Sequence, residues 1–166
     1  NLVISYWDID DESIISEFKN EDNITFIKNK YSALPEENRR FKKSGTRGCA
    51  PWILQNITTY EGLKACTGYL SIKVRSDEIY PELSVFHKGV KKDLRKTHTS
   101  DIFFRSDAVE KFHISDHVIG GTTKSLKEGF KMAVNMCKSN NRKGMKFPEQ
   151  LICRAILKSK WVNCDK

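Results

Sequence analysis

The sequence predicts an α+β protein in which an antiparallel sheet packs against a long amphipathic helix and a shorter C-terminal helix, after a small helical N-terminal extension. In YLSIKVR, residues 69–75, apolar and polar side chains alternate as they do in a strand with one buried face. Over residues 126–137 the apolar side chains recur at helical spacing. The length of 166 residues and a hydrophobic content of 39% suit one main core.

The first 45 residues are predicted to be helical. Asp10 or Asp11 can cap a helix through ESIISEF, and Pro35 with the two glutamates after it suits another first turn. Residues 20–31 fit a helix and a strand equally well. KKSGTRGCAP follows as a linker, so we place the domain boundaries at 1–47 for the extension and linker and 48–166 for the α+β domain. Because the chain does not open with Met, we expect it to be a fragment of a longer protein.

The predicted sheet begins at Trp52, where the period changes to two. In its clearest strand Leu70, Ile72 and Val74 form the buried face, and Lys73 and Arg75 stand on the solvent face. The other segments are predicted as follows: WILQNITTY (52–60) a strand, ELSVFHKG (82–89) the partner strand, VKKDLRKTH (90–98) a third strand or a short basic helix, DIFFRSD (101–107) a strand, and VEKFHISDHVIGG (109–121) a variable stretch.

Two helices complete the domain. Thr122 or Thr123 is a suitable N-cap for the long helix. Its apolar stripe consists of Leu126, Phe130, Ala133, Val134 and Cys137. The last helix is predicted to start at Pro148 and to bury Leu151, Ile152, Ala155 and Ile156.

Composition bounds the function. A net charge of +8 and a pI near 9.2 favour an anionic partner, although a merely soluble basic surface or an acidic protein partner fits equally well. No apolar run approaches the roughly 20 residues that span a bilayer. Five widely spaced cysteines favour a reducing compartment. The basic clusters interleave with Trp52, Tyr69, Tyr80, Phe86, Phe103 and Phe104, so charge for an RNA backbone and rings for bases are both present.

The patterns typical of catalysis and metal binding are weak. His113 and His117 lie four apart without further ligands at a zinc spacing, and Asp8, Asp10 and Asp11 suit helix capping better than a metal site. Gly120 and Gly121 before TTKS suggest a helix start with weak affinity for anions. No phosphate loop or nucleophile motif is present, so we expect no cofactor, no metal and no catalytic residue.

Three separated segments keep a particular order and spacing. The first runs from Thr67-Gly68 through IKVR and YPEL to LRK at 94–96, the second is SLKEGFKMAVNM (125–136) and the third is PEQLICRAI (148–156). Together they resemble the cap-binding domain in the middle of the orthomyxovirus polymerase basic subunit two, in which the second segment resembles the long helix and the third the last helix. ALPEENRRFKKSG resembles the end of the preceding region more faintly. The resemblance covers most of residues 50–161 and is greatest to the Thogoto-type branch.

The resemblance implies a non-catalytic domain that holds the methylated guanine cap of host messenger RNA while an endonuclease elsewhere in the polymerase cuts off a primer. It implies other viral polymerase subunits and RNA, including capped host RNA, as partners, with no membrane contact and a monomeric isolated domain. The implied locations are the host nucleus and the virion.

The resemblance also assigns site residues. Lys96 and Glu82 match the lysine and the glutamate that read methylguanine, but the two stacking positions hold Arg75 and Met136. Each lost ring face costs about 2 kcal/mol, so affinity for the cap falls roughly a thousandfold. Arg75 also repels the cationic base. We therefore expect weak or lost cap affinity and a basic patch of Lys88, Lys91, Lys92 and Arg95 that steers RNA or docks a sister subunit.

Three alternatives stay open from the sequence. In the first, the cap is bound through Glu82 and Lys96, with Trp52, Tyr80 or Phe86 as replacement rings. In the second, the chain is an unrelated basic RNA-binding module. In the third, it is a metal-dependent nuclease that uses the acidic cluster.

Overall fold

The computed structural model describes residues 1–34, 49–100, 114–139 and 148–162. The chain divides into two compact units, Asn1–Cys66 and Thr67–Lys166. Helices combine with an antiparallel sheet and a separate parallel strand pair, so the predicted α+β class is confirmed. The predicted domain boundary between residues 47 and 48 lies outside the described residues.

The first unit contains two parallel strands. Strand β1 (Leu2–Trp7) pairs with β2 (Ile24–Asn29), and their connection contains the four-residue helix α1 (Ser13–Ser16). A 3-10 turn, Tyr31–Ala33, follows. The prediction that this region is helical is therefore wrong for β1, whereas β2 lies within residues 20–31, where a helix and a strand fit the sequence equally well. Their segments LVISYW and ITFIKN are rich in β-branched and aromatic residues, which favour a strand once a partner is available.

Helix α2 (Cys49–Ala65) completes the first unit and replaces the strand predicted at WILQNITTY. The β-branched threonines misled the prediction, but Thr58 and Thr59 bond their hydroxyls to carbonyls three and four residues earlier, which a helix allows. The helix approaches β1 closely at Gly62, where an added Cβ would lie 3.2 Å from the Cβ of Ser5.

The second unit is built on a three-stranded antiparallel sheet in the order β3-β5-β4. The strands are β3 (Leu70–Val74), β4 (His98–Thr99) and β5 (Val118–Thr122). The predicted partner strand ELSVFHKG is wrong, because this segment forms helix α3 (Ser84–Lys92). The true partner of β3 is β5, which lies in the stretch predicted to be variable. The strand predicted at DIFFRSD lies outside the described residues.

Strand β5 lies between two helices. A Cβ added to Gly120 would lie 2.6 Å from Phe86 and 2.7 Å from Val90 of α3, and one added to Gly121 would lie 3.6 Å from Leu126. Because consecutive strand residues point to opposite faces, α3 covers one face of β5 and the next helix covers the other. The two glycines therefore serve close packing within β5.

Both predicted helices of the second unit are confirmed. Helix α4 (Thr123–Lys138) begins at its N-cap Thr122, whose hydroxyl accepts the amide of Ser125 at 3.2 Å. Helix α5 (Pro148–Val162) packs against α4 so closely that a Cβ at Gly129 would lie 2.7 Å from Ile156. Every predicted apolar position of the two helices is buried.

Candidate nucleic-acid interface

Arg75, at a predicted stacking position, directly follows β3 and is held by carboxylates. Its Nε and Nη2 donate to Asp77 at 2.8 and 2.6 Å, and its Nη1 lies 3.6 Å from Oδ2 of the buried Asp116. The hydrogen bonds to Asp77 raise the pKa of Arg75, and the same bonds lower the pKa of Asp77 to about 2. The guanidinium is therefore engaged within the protein.

Tyr80 lies beside Arg75, at the end of the pairing between β3 and β5. Its hydroxyl accepts the Arg75 amide at 3.4 Å, lies 3.2 Å from the His117 carbonyl and donates to Glu78 at 2.6 Å. It thus stands between the two backbone groups that would form the next bond of the β3–β5 ladder. Burial, and then the bond to Glu78, raise the pKa of Tyr80 to about 12.

His117 joins this group through both ring nitrogens. Its Nδ1 contacts the Glu78 carboxylate, and its Nε2 lies 3.7 Å from Oδ1 of Asp116. We call Arg75, Asp77, Glu78, Tyr80, Asp116 and His117, together with Lys73, the charged cluster. The acidic members of this cluster were not predicted from the sequence, although Asp116 lies two residues before β5, the strand that a correct pairing of β3 would have identified.

Lys73 does not stand on the solvent face as predicted. It lies opposite Ile119, which is fully buried on the face that α4 covers, and the Lys73 ammonium donates to the Asp116 carbonyl. Burial lowers the pKa of Lys73 to about 8, although the nearby Asp116 carboxylate favours the charged form.

The two residues predicted to read methylguanine each contact a neighbour. Glu82 is exposed in the turn before α3 and accepts a hydrogen bond from the Ser84 hydroxyl. The Lys96 ammonium lies 3.1 Å from Asp93 and is the main cause of the lowered pKa of that carboxyl. Both side chains are nevertheless open to solvent.

The structure separates two of the predicted cap residues. The Lys96 carbonyl lies beside Gly121, whereas Arg75 follows Val74, the partner of Val118. Arg75 therefore lies at the level of residue 117, four residues from Gly121, which is about 13 Å along the strand direction. Met136 lies near the end of α4 with a half-buried side chain and provides no ring face.

The aromatic residues considered as replacement rings are mostly engaged elsewhere in the fold or lie outside the described residues. Trp52 is buried in α2 of the first unit, Tyr80 belongs to the charged cluster, and Phe86 fills the space above Gly120. Phe103 and Phe104 lie outside the described residues. Tyr69 is the most exposed aromatic side chain that the structure describes in the second unit, at 69%.

The predicted basic patch lies on and just after α3. Phe86 and Val90 of this helix face the sheet, and Lys88, Lys91 and Lys92 are exposed on its outer side. None of these lysines forms an ion pair with a residue that the structure describes. Arg95, in the following turn, is 92% exposed and lies 3.3 Å from Asp93. We call Lys88, Lys91, Lys92 and Arg95 the α3 basic surface.

The acidic residues proposed for a nuclease serve local structure. Asp8 and Asp10 accept the amides of Tyr31 and Trp7, each at 2.8 Å. Asp11 accepts the Ser13 amide at the start of α1, which lowers the pKa of Asp11. Within the described ranges, no group of three histidines, cysteines or acidic residues could hold a metal ion. His113 is outside these ranges.

The candidate site is thus the exposed basic surface of α3, a helix that packs on β5, and the charged cluster lies at one end of strands β3 and β5. No protein-family model, no curated protein and no solved structure matches this chain. Among the helices of the described segments, none has the length and apolarity needed to cross a membrane.

Proposed function

We propose that the chain is a non-catalytic RNA-binding domain of a viral RNA polymerase subunit, related to orthomyxovirus cap-binding domains, with weak or lost affinity for methylated guanine. The observation that carries this proposal is the α3 basic surface. Its three lysines are exposed and unmatched within the described part of the chain, so they are available to replace the counterions of an RNA backbone.

Three residues support weak affinity for the cap. Arg75 lies where a ring is expected, and its charge is engaged by Asp77 and Asp116. Met136 offers a polarisable contact without the quadrupole that attracts a cationic base. Glu82 contacts Ser84, and this hydrogen bond competes with recognition of a guanine edge.

The cellular setting in this proposal follows the resemblance. The domain acts with the other polymerase subunits during cap-dependent transcription, in the host nucleus and in the virion, and is monomeric when isolated. Cys66, Cys137 and Cys153 are free thiols, which supports a reducing environment.

A titration of the chain with a capped RNA oligonucleotide and its uncapped twin tests the proposal. We expect affinities equal within about threefold, because neither cap wall is aromatic. Replacing Lys88, Lys91 and Lys92 by glutamine is expected to reduce the slope of log affinity against log salt by about 2, at roughly 0.7 per phosphate contact. A matched variant replaces the exposed Lys19, Lys30 and Lys158 and removes the same charge elsewhere.

Two outcomes would contradict the proposal. Tighter binding of the capped strand by tenfold or more, lost in Glu82→Gln or Lys96→Gln, would favour a functional cap site. A slope that changes equally in the α3 variant and in the matched variant would show that total charge alone attracts RNA.

A further inference from the structure

Helix α4 carries a second set of lysines that the basic patch does not include. Its five charged residues are Lys124, Lys127, Glu128, Lys131 and Lys138. At about 100° per residue, all four lysines lie within a sector of about 60° of the helix circumference, and the glutamate lies outside that sector. We call these four lysines the α4 basic stripe.

The stripe is open to solvent along the helix. Lys124, Lys131 and Lys138 are exposed and Lys127 is half-buried. None of them forms an ion pair with a residue in the described part of the chain. The stripe spans about 21 Å at 1.5 Å per residue, long enough to follow several phosphates of an extended strand.

An exposed aromatic ring marks one end of this stripe. The Tyr69 carbonyl accepts the amide of Thr123, the first residue of α4, at 2.9 Å. This bond continues the β3–β5 register, in which Leu70 lies opposite Thr122, so Tyr69 lies beside the first turn of the helix. The Tyr69 side chain is 69% exposed, although most tyrosines bury more of the ring.

The stripe is independent of the α3 basic surface. Helix α3 packs on the face of β5 at Gly120, and α4 packs on the opposite face at Gly121. The two sets of lysines therefore belong to different sides of the sheet.

We propose that the α4 basic stripe and Tyr69 form a second binding site, for single-stranded polynucleotide, in which the lysines contact phosphates and the Tyr69 ring stacks on a base. Lysine is depleted at protein–protein interfaces, whereas proteins that bind single strands combine a positively charged path for the backbone with aromatic rings on which bases stack. The site requires neither a cap nor the α3 basic surface, so it does not rest on the function proposed above.

The test uses the full chain and three labelled probes: a single-stranded uridine dodecamer, an abasic strand of equal length, and an RNA duplex. Tyr69→Ala is expected to weaken binding of the uridine strand by about five- to 150-fold, the worth of one stacked base. Tyr69→Phe keeps the ring and should retain wild-type affinity. Affinity for the abasic strand should be the same in all three proteins.

A charge variant separates this site from the α3 basic surface. Replacing Lys124, Lys131 and Lys138 by glutamine should reduce the salt slope for the uridine strand by about 2, additively with the loss in the α3 variant. Circular dichroism of each variant checks that α4 is retained. Unchanged affinity in Tyr69→Ala, equal binding of abasic and uridine strands, or an unchanged slope in the α4 variant would overturn the second site, whatever the α3 variant does.

Discussion

At the end of β3 the basic side chains meet carboxylates, whereas on the outer sides of α3 and α4 the lysines meet none that the structure describes. Arg75 contacts Asp77 and Asp116, while Lys88 and Lys131 are exposed and form no ion pair with any residue in the described ranges. The difference teaches that the net charge of +8 does not by itself locate a binding surface. Cations that are already matched stabilise the fold, and only the unmatched ones are available to a polyanion.

Asp116→Asn should produce the largest loss of stability, because Asp116 is the buried carboxylate of the charged cluster. We expect the free energy of unfolding to fall by about 3 kcal/mol, since removal of one partner leaves charge uncompensated near Arg75 and Lys73. Urea denaturation at pH 7 measures it.

The control for that substitution is Asp77→Asn. Asp77 also binds Arg75, but its side chain is 62% exposed, so its loss should cost less than about 1 kcal/mol. Equal losses of unfolding free energy in the two variants would mean that the buried carboxylate of Asp116 stabilises the fold no more than the exposed carboxylate of Asp77.

The next largest effect should be the pH dependence of the unfolding free energy that the ionisation of Lys73 causes. Folding lowers the pKa of Lys73 from 10.5 to about 8, so between these values the unfolded chain binds more protons than the folded chain. Stability contributed by this residue therefore rises with pH across that window. The free energy of unfolding of the wild type minus that of Lys73→Met should rise by roughly 3 kcal/mol between pH 7.5 and 10.5.

An exposed lysine provides the control for this measurement. Lys88→Met removes the same ammonium group from an exposed position, and the same pair of measurements is made on it. A profile for Lys73→Met that does not differ from the profile for Lys88→Met would show that the ammonium of Lys73 is fully hydrated in the folded protein.

Tyr80→Phe should have a smaller effect, about 1 kcal/mol, because it removes one hydroxyl that bridges Glu78 and the strand ends. The raised pKa of Tyr80 means that the unfolded chain loses its phenolic proton first. The wild type should therefore lose stability relative to Tyr80→Phe as the pH rises from 10 to 12. Tyr69→Phe, at an exposed ring, is the matched control and should change stability little.

The parts of the fold that the sequence predicted correctly depend on local patterns. The spacing of Leu126, Phe130 and Ala133 identifies one face of α4 without knowledge of its partner, and Pro148 identifies the start of α5. The strands depend on distant partners. Gly120 and Gly121 make β5 hard to predict, because glycine disfavours a strand. The need for glycine at these two positions follows from the close packing of α3 and α4 on the two faces of β5, which the local sequence does not show.

The candidate site divides in the same way. Lys88, Lys91 and Lys92 are exposed because they lie opposite the apolar side of a short helix. The spacing of apolar and basic residues that produces this arrangement is present in the sequence, although the sequence also fits a strand over part of this segment. Whether Arg75 is paired within the protein cannot be predicted from its neighbours in the sequence. The cluster around it also contains Glu78 and His117, which contact each other although they are 39 positions apart. A pattern read along the chain cannot tell a matched charge from an unmatched one.

The smallest effect on stability is expected for the α3 variant in which Lys88, Lys91 and Lys92 become glutamine. These side chains have no ion-pair partner in the described part of the chain, so the free energy of unfolding should stay within about 0.5 kcal/mol of the wild type, even though RNA affinity falls. Urea denaturation and RNA titration of the same preparation measure both quantities. A loss of 2 kcal/mol or more would place these lysines with Arg75, among the charges that hold the fold, and would leave α3 without a free basic surface.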